Sequence, residues 1–116
     1  MTGARCTGVA LLYSGRPDPR WAISARQVER LQDLWNRLPA TVRVLAPAPL
    51  LGYRGAAVEC SSGRRWWAYH GIAESKTGDT VPECRLDKGR DFEKAILATA
   101  PAGLVPEREM PPATHP

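Results

Sequence analysis

A chain of 116 residues, 43% hydrophobic and 24% charged, has room for one domain with a single modest core, which excludes a second domain. No run approaches the roughly 20 apolar residues that span a bilayer, and Val9 to Leu12 is too short for a signal-peptide core and lacks a cleavage pattern, so the expected location is cytoplasmic. The net charge of +4 is uneven: residues 1–65 carry ten Arg against four acids, residues 66–116 six bases against eight acids, and the N-terminal half is the anion-facing one.

Residues 7–13 are apolar on both faces and predict a buried central strand that ends at Ser14-Gly15. Tyr-Ser-Gly-Arg-Pro-Asp-Pro-Arg-Trp follows at 13–21. Pro17 and Pro19 fix their own φ and push Arg16 and Asp18 toward extended conformations, so a guanidinium, a carboxylate and the Trp21 indole are expected on a stiff loop. Rigid loops are where binding groups tend to sit. Ser24 with Gln27 three residues later makes a capping box, and Val28, Leu31, Trp35 and Leu38 recur at helical spacing, predicting a helix over 25–38 that Pro39 stops, with Trp35 in the core.

Thr41, Val42, Val44 and Leu45 suggest a short strand before the prolines at 47 and 49. Residues 53–60 and 64–74 flank Ser61-Ser62-Gly63, a three-residue hairpin loop with Gly63 in the left-handed position. That loop pairs Glu59 with Arg65, Val58 with Trp66, Ala56 with Ala68 and Arg54 with His70. Residues 75–86 read as a polar surface loop, and Asp87 or Asp91 caps a helix running to about Thr99. The expected fold is α+β: a small antiparallel sheet of three to four strands, including the hairpin at 53–74, with two helices on one face. One domain covers 1–100, and 101–116 is a proline-rich flexible or draped tail.

Alternation along the hairpin puts Arg65, Trp67 and Tyr69 on one face and Trp66, His70 and Ile72 on the other. One tryptophan therefore points away from the helix-covered core. It serves as a ligand wall, a dimer patch or a stacking platform for bases, or is covered by the proline loop or the tail. Arg16 and Arg54 each adjoin a glycine, which lets a ligand approach, and together they could clamp a carboxylate or phosphate; the alternative is that Arg16 pairs internally with Asp18. His70, the one histidine outside the tail, reads first as a strand histidine bonded to a backbone or side-chain acceptor, and is the candidate catalytic base if the protein is an enzyme.

Cys6, Cys60 and Cys84 have neither metal-ligand spacing nor an even count, so reduced thiols are expected, with a Cys60–Cys84 bridge if the compartment is oxidising. No metal or cofactor motif is present, and scattered bases without a nucleic-acid-binding signature argue against a nucleic-acid partner. The residues read best as a small cytoplasmic binding or accessory domain that recognises an anionic small molecule or a protein partner through Arg16, Asp18, Trp21, Arg54, Trp66, Trp67 and Tyr69. The alternative is a small enzyme with His70 as general base and Arg16 or Arg54 stabilising an anion. A homodimer burying the second aromatic face competes with a monomer covered by its own tail.

Overall fold

The computed structural model describes residues 5–12, 17–44 and 52–105. Strands β1 (Cys6–Ala10) and β2 (Arg20–Ile23) precede helix α1 (Ala25–Arg37); β3 (Ala56–Cys60), β4 (Arg64–Tyr69), β5 (Ile72–Thr77) and β6 (Glu83–Leu86) follow, then a 3₁₀ turn (Lys88–Arg90) and helix α2 (Asp91–Ala98). All neighbouring strands pair antiparallel in one sheet, in the order β2-β1-β3-β4-β5-β6. The α+β class with two helices holds, but the sheet has six strands where the sequence predicts three to four. β2 and β6 lie largely in segments that read as loops, and β5 comes from the division of the strand expected over 64–74.

β2 is the end of the proline loop. Trp21 and Ile23 are buried while Arg20 and Ala22 are exposed, a period-2 pattern that makes Trp21 a core residue and not a loop group. Trp21 pairs with Gly8 on β1, and its indole lies so close that a Cβ on Gly8 would stand 2.4 Å from it. Only glycine leaves that ring its place.

β4 and β5 replace the single strand expected over 64–74. His70 (φ 52°) and Gly71 (φ 83°) are both left-handed and connect Tyr69 directly to Ile72, as a two-residue hairpin turn with primed geometry requires. Histidine is one of the few non-glycine residues enriched in that region. The turn puts Ile72 opposite Tyr69 rather than beside Trp66, and takes His70 off the sheet face. Before the turn the expected register holds: Glu59 faces Arg65, Val58 faces Trp66 and Ala56 faces Ala68, with Gly63 at φ 92° in the loop.

β6 owes its strand geometry to its neighbours, since Glu-Cys-Arg-Leu has no β-branched residue. β5 pairs on one side; on the other, Leu86 N–H donates to Pro39 O (2.8 Å) and Thr41 N–H to Cys84 O (3.3 Å). The strand expected at 41–45 is reduced to a bridge between Ala40 and Arg85, with 41–44 irregular and Leu45 outside the described residues.

α1 begins at the predicted capping box, in which Ser24 and Gln27 bond each other's backbone (3.1 and 2.9 Å). Its Leu31 and Trp35 pack on the sheet face that carries Trp66, Ala68 and Ala73. Arg85 shares that face: its guanidinium lies 4.8 Å from the Trp35 ring and donates to Trp35 O at 2.9 Å. Phe92 on α2 meets Trp66 edge-to-face at 5.6 Å and Trp35 at 5.9 Å, joining both helices to the sheet. Val105 is buried in the same core, which therefore extends beyond residue 100; residues 106–116 of the expected tail lie outside the described residues. The opposite face carries a charged ladder, Glu59 between Arg20 (2.6 Å) and Arg65 (3.8 Å), where a homodimer interface would lie. Exposed pairs of this kind add at most about 1 kcal/mol each and serve register more than stability.

Cys6 and Cys60 stand directly opposite each other on β1 and β3 and form a disulfide, with Cα atoms 4.0 Å apart. This replaces the expected reduced thiols and the Cys60–Cys84 alternative. Cys84 is on β6, three strand spacings or roughly 14 Å from β3. Because the Cys6–Cys60 bond closes a loop with a sequence separation of 54, reduction or the Cys6→Ser/Cys60→Ser pair is expected to lower the unfolding free energy by about 4 kcal/mol, read from urea denaturation with and without dithiothreitol. An unchanged midpoint would contradict a stabilising disulfide.

Candidate functional site

The first turn of α2 exposes backbone N–H groups that need acceptors. Asp87, expected as a cap, supplies them from four residues before the helix: Oδ1 accepts from Phe92 N–H (2.8 Å) and Oδ2 from Glu93 N–H (3.0 Å). The carboxylate is 0% exposed. Burial, opposed by those two bonds, pushes its pKa up from the ordinary carboxylate value. Asp87 also donates its own N–H to Gly71 O (2.7 Å), which fastens the β4–β5 turn to the base of α2.

Glu93 is the second acid without exposed surface. Arg90 donates to it through Nε (3.1 Å) and Nη2 (2.8 Å), and the Tyr53 hydroxyl donates to its Oε2. That side-on pairing raises the Arg90 pKa, while burial, reinforced by the Glu93 charge, drives the Tyr53 phenol above its usual range. The Tyr53 ring meets Tyr69 at 6.1 Å, and Tyr69 meets the His70 imidazole at 4.1 Å. Buried acids, tyrosines and the turn histidine thus form one continuous cluster.

Above this cluster opens a cleft of about 450 Å³, lined by Arg43, His70, Gly71 and the 86–90 segment. Four cationic or cation-forming side chains reach it: Arg43, His70, Lys88 and Arg90. Asp87 is the one acid in its lining, and its carboxylate is engaged by the helix amides. His70 and Arg90 are also the two non-glycine residues with positive φ among the described residues, and each adjoins a left-handed glycine, Gly71 or Gly89. Such conformations persist where the surroundings over-determine them, and they cluster at functional sites.

The residues singled out by sequence are dispersed. Arg16 lies outside the described residues. Asp18 is structural: it accepts the Leu12 N–H (2.9 Å) and lies 3.6 Å from Arg54 Nη2, tying the two ends of the proline loop to the start of β3. Trp21 is buried and donates from Nε1 to Thr99 Oγ1 (2.7 Å). Trp66 is a core anchor with the Arg64 guanidinium 4.4 Å from its ring. Trp67 is the tryptophan that points away from the helices; half-buried, it donates to Arg54 O (2.9 Å) beside the Asp18 pair. Tyr69 is buried. His70 reaches the cleft and Arg54 does not line it, so these two do not meet there; Arg16, the other guanidinium of the enzymatic alternative, lies outside the described residues. Arg43, Lys88 and Arg90 were legible only as Lys-Gly-Arg ahead of a helix and an arginine between two valines, neither of which shows that they converge.

Asp87→Ala leaves two helix amides without their acceptor, and is expected to cost roughly 2–3 kcal/mol in chemical denaturation. A folded-state pKa above the unfolded one means that the native protein binds this proton more tightly. The stabilisation linked to Asp87 protonation is therefore full at low pH and fades as pH rises from the ordinary carboxylate value through the raised one. The difference between wild type and Asp87→Ala should shrink over that interval, and a difference that grows with pH would contradict the assignment. No family model, curated protein or solved structure matches the chain, so the chemistry of the site is read from its own residues.

Proposed function

We propose that this protein is a binding domain for a small anionic ligand, and that the cleft between the β4–β5 turn and the base of α2 is its site. The observation that carries the reading is the convergence of Arg43, His70, Lys88 and Arg90 on one 450 Å³ concavity whose only acid among the described residues accepts from backbone amides. Positive charge gathered in a concavity attracts anions at range and holds them by short charge-assisted bonds. The left-handed His70-Gly71 and Gly89-Arg90 pairs hold the backbone of the His70 and Arg90 side of the cleft on a fixed frame, which lowers the ordering cost of binding.

The set Asp18, Arg54 and Trp67 supports this function less well, because the Arg54 guanidinium is ion-paired with Asp18 and the Trp67 indole N–H is taken by the Arg54 carbonyl. Calorimetry of the full chain with inorganic phosphate and citrate distinguishes the two surfaces. Arg43→Ala and Lys88→Ala are each expected to weaken binding about tenfold, a loss near 1.4 kcal/mol, while Arg54→Ala leaves it unchanged. Affinity should fall as salt is raised, since both cations are exposed. Loss of binding in Arg54→Ala with wild-type behaviour in the cleft variants would contradict the proposal.

A further inference from the structure

We infer that the anion this cleft accepts is a dianionic phosphate group, free or as a monoester, in preference to a carboxylate or a phosphodiester; the inference rests on the cleft being the binding site. It follows from how much of the local charge is already spent. Arg90 is matched by Glu93 through two short bonds, and withdrawing it toward a ligand would leave a carboxylate of 0% exposure with only the Tyr53 hydroxyl. An uncompensated buried charge is costly enough to keep Arg90 where it is. The pair therefore adds a fixed donor but little net field.

Asp87 is turned inward as well, its charge set against the positive end of α2. By accepting the Phe92 and Glu93 amides it removes the α2 terminus as a cradle for a ligand, since the chain already supplies the anion that a helix N-terminus attracts. Recognition is left to side chains. Arg43 and Lys88 are exposed and form no ion pair among the described residues, so these two cations stand open at the cleft, with the His70 imidazole beside them as a further polar contact.

Two open cations match a dianion and leave one charge unmatched against a monoanion. Arginine forks onto two oxygens of one phosphate and lysine adds a point charge, which suits a tetrahedral group with several equivalent oxygens better than a planar carboxylate. A cleft of about 450 Å³ also exceeds what one phosphate group fills, leaving space for an organic remainder.

The test is calorimetric titration of the full chain at about pH 8, where phosphate monoesters carry two charges, with methyl phosphate, inorganic phosphate, dimethyl phosphate and acetate. Methyl phosphate and inorganic phosphate are expected to bind about tenfold more tightly than the two monoanions, and Arg43→Gln and Lys88→Gln should each remove most of that preference. Tighter binding of methyl phosphate than of inorganic phosphate assigns a monoester as the source, and the reverse order assigns free phosphate. Equal affinity for all four overturns the dianion inference while leaving the cleft an anion site; no binding of any of them overturns both. A preference that survives unchanged in both variants would place the dianion elsewhere on the molecule and overturn the assignment.

Discussion

Asp87 is bonded through every polar group it has. Its N–H donates to Gly71 O, its carbonyl accepts from Arg90 N–H (2.8 Å), and its carboxylate accepts the first amides of α2. One residue thereby joins the turn at the end of two strands, the 3₁₀ turn and the helix that carries Phe92 into the core. Burying a carboxylate costs several kcal/mol when nothing compensates it. Here two charge-assisted bonds and the positive end of the helix offset that cost, and the arrangement depends on all three segments being in register. Without this junction, Phe92 would have no fixed station against Trp66 and Trp35, and the two helices would lose their common contact with the sheet.

The same junction shapes the surface above it. Holding Gly71 against Asp87 fixes the His70-Gly71 turn, and holding Arg90 N–H against Asp87 O fixes the left-handed Gly89-Arg90 pair. Each non-glycine residue in that region costs on the order of 1 kcal/mol, and the surrounding bonds supply it. Arg90 is then placed to pair with Glu93, which neutralises the inner layer and leaves Arg43 and Lys88 as the open charges at the rim. Interior acids matched within the fold and cations left at the surface are what make the cleft an electrostatic feature rather than a scatter of basic residues.

Local chemistry was legible in the sequence, and long-range pairing was not. The Ser24–Gln27 box and the Gly63 loop are short-range patterns whose geometry is nearly dictated by residue type, so α1 begins, and β3 meets β4, in the predicted place and register. His-Gly is a rarer vehicle for a primed turn than Asn-Gly, which is why 64–74 read as one strand. β2 and β6 span four residues each, too few for a period to declare itself, and take their form from β1, β5 and the 39–41 segment. The dispersal of the candidate residues has a related cause. Trp21 and Trp66 have the chemistry of a stacking wall, but neighbours distant in sequence turn both into the core. Arg43 and Lys88, unremarkable in the sequence, meet only because β6 carries 86–90 to the end of the β4–β5 hairpin. The third cysteine concealed the pairing of the other two until β1 and β3 were seen to be neighbours.

The central claim is that the cationic cleft, and not the Arg54 and Trp67 surface, receives the anion. Amide-resolved NMR titration of the full chain with inorganic phosphate tests it most directly. Shift changes should concentrate at residues 43, 70, 71 and 88–90 and leave the Trp67 indole N–H, bonded to Arg54 O, where it was. Changes centred on Arg54 and Trp67, or an unperturbed cleft at saturating phosphate, would contradict it.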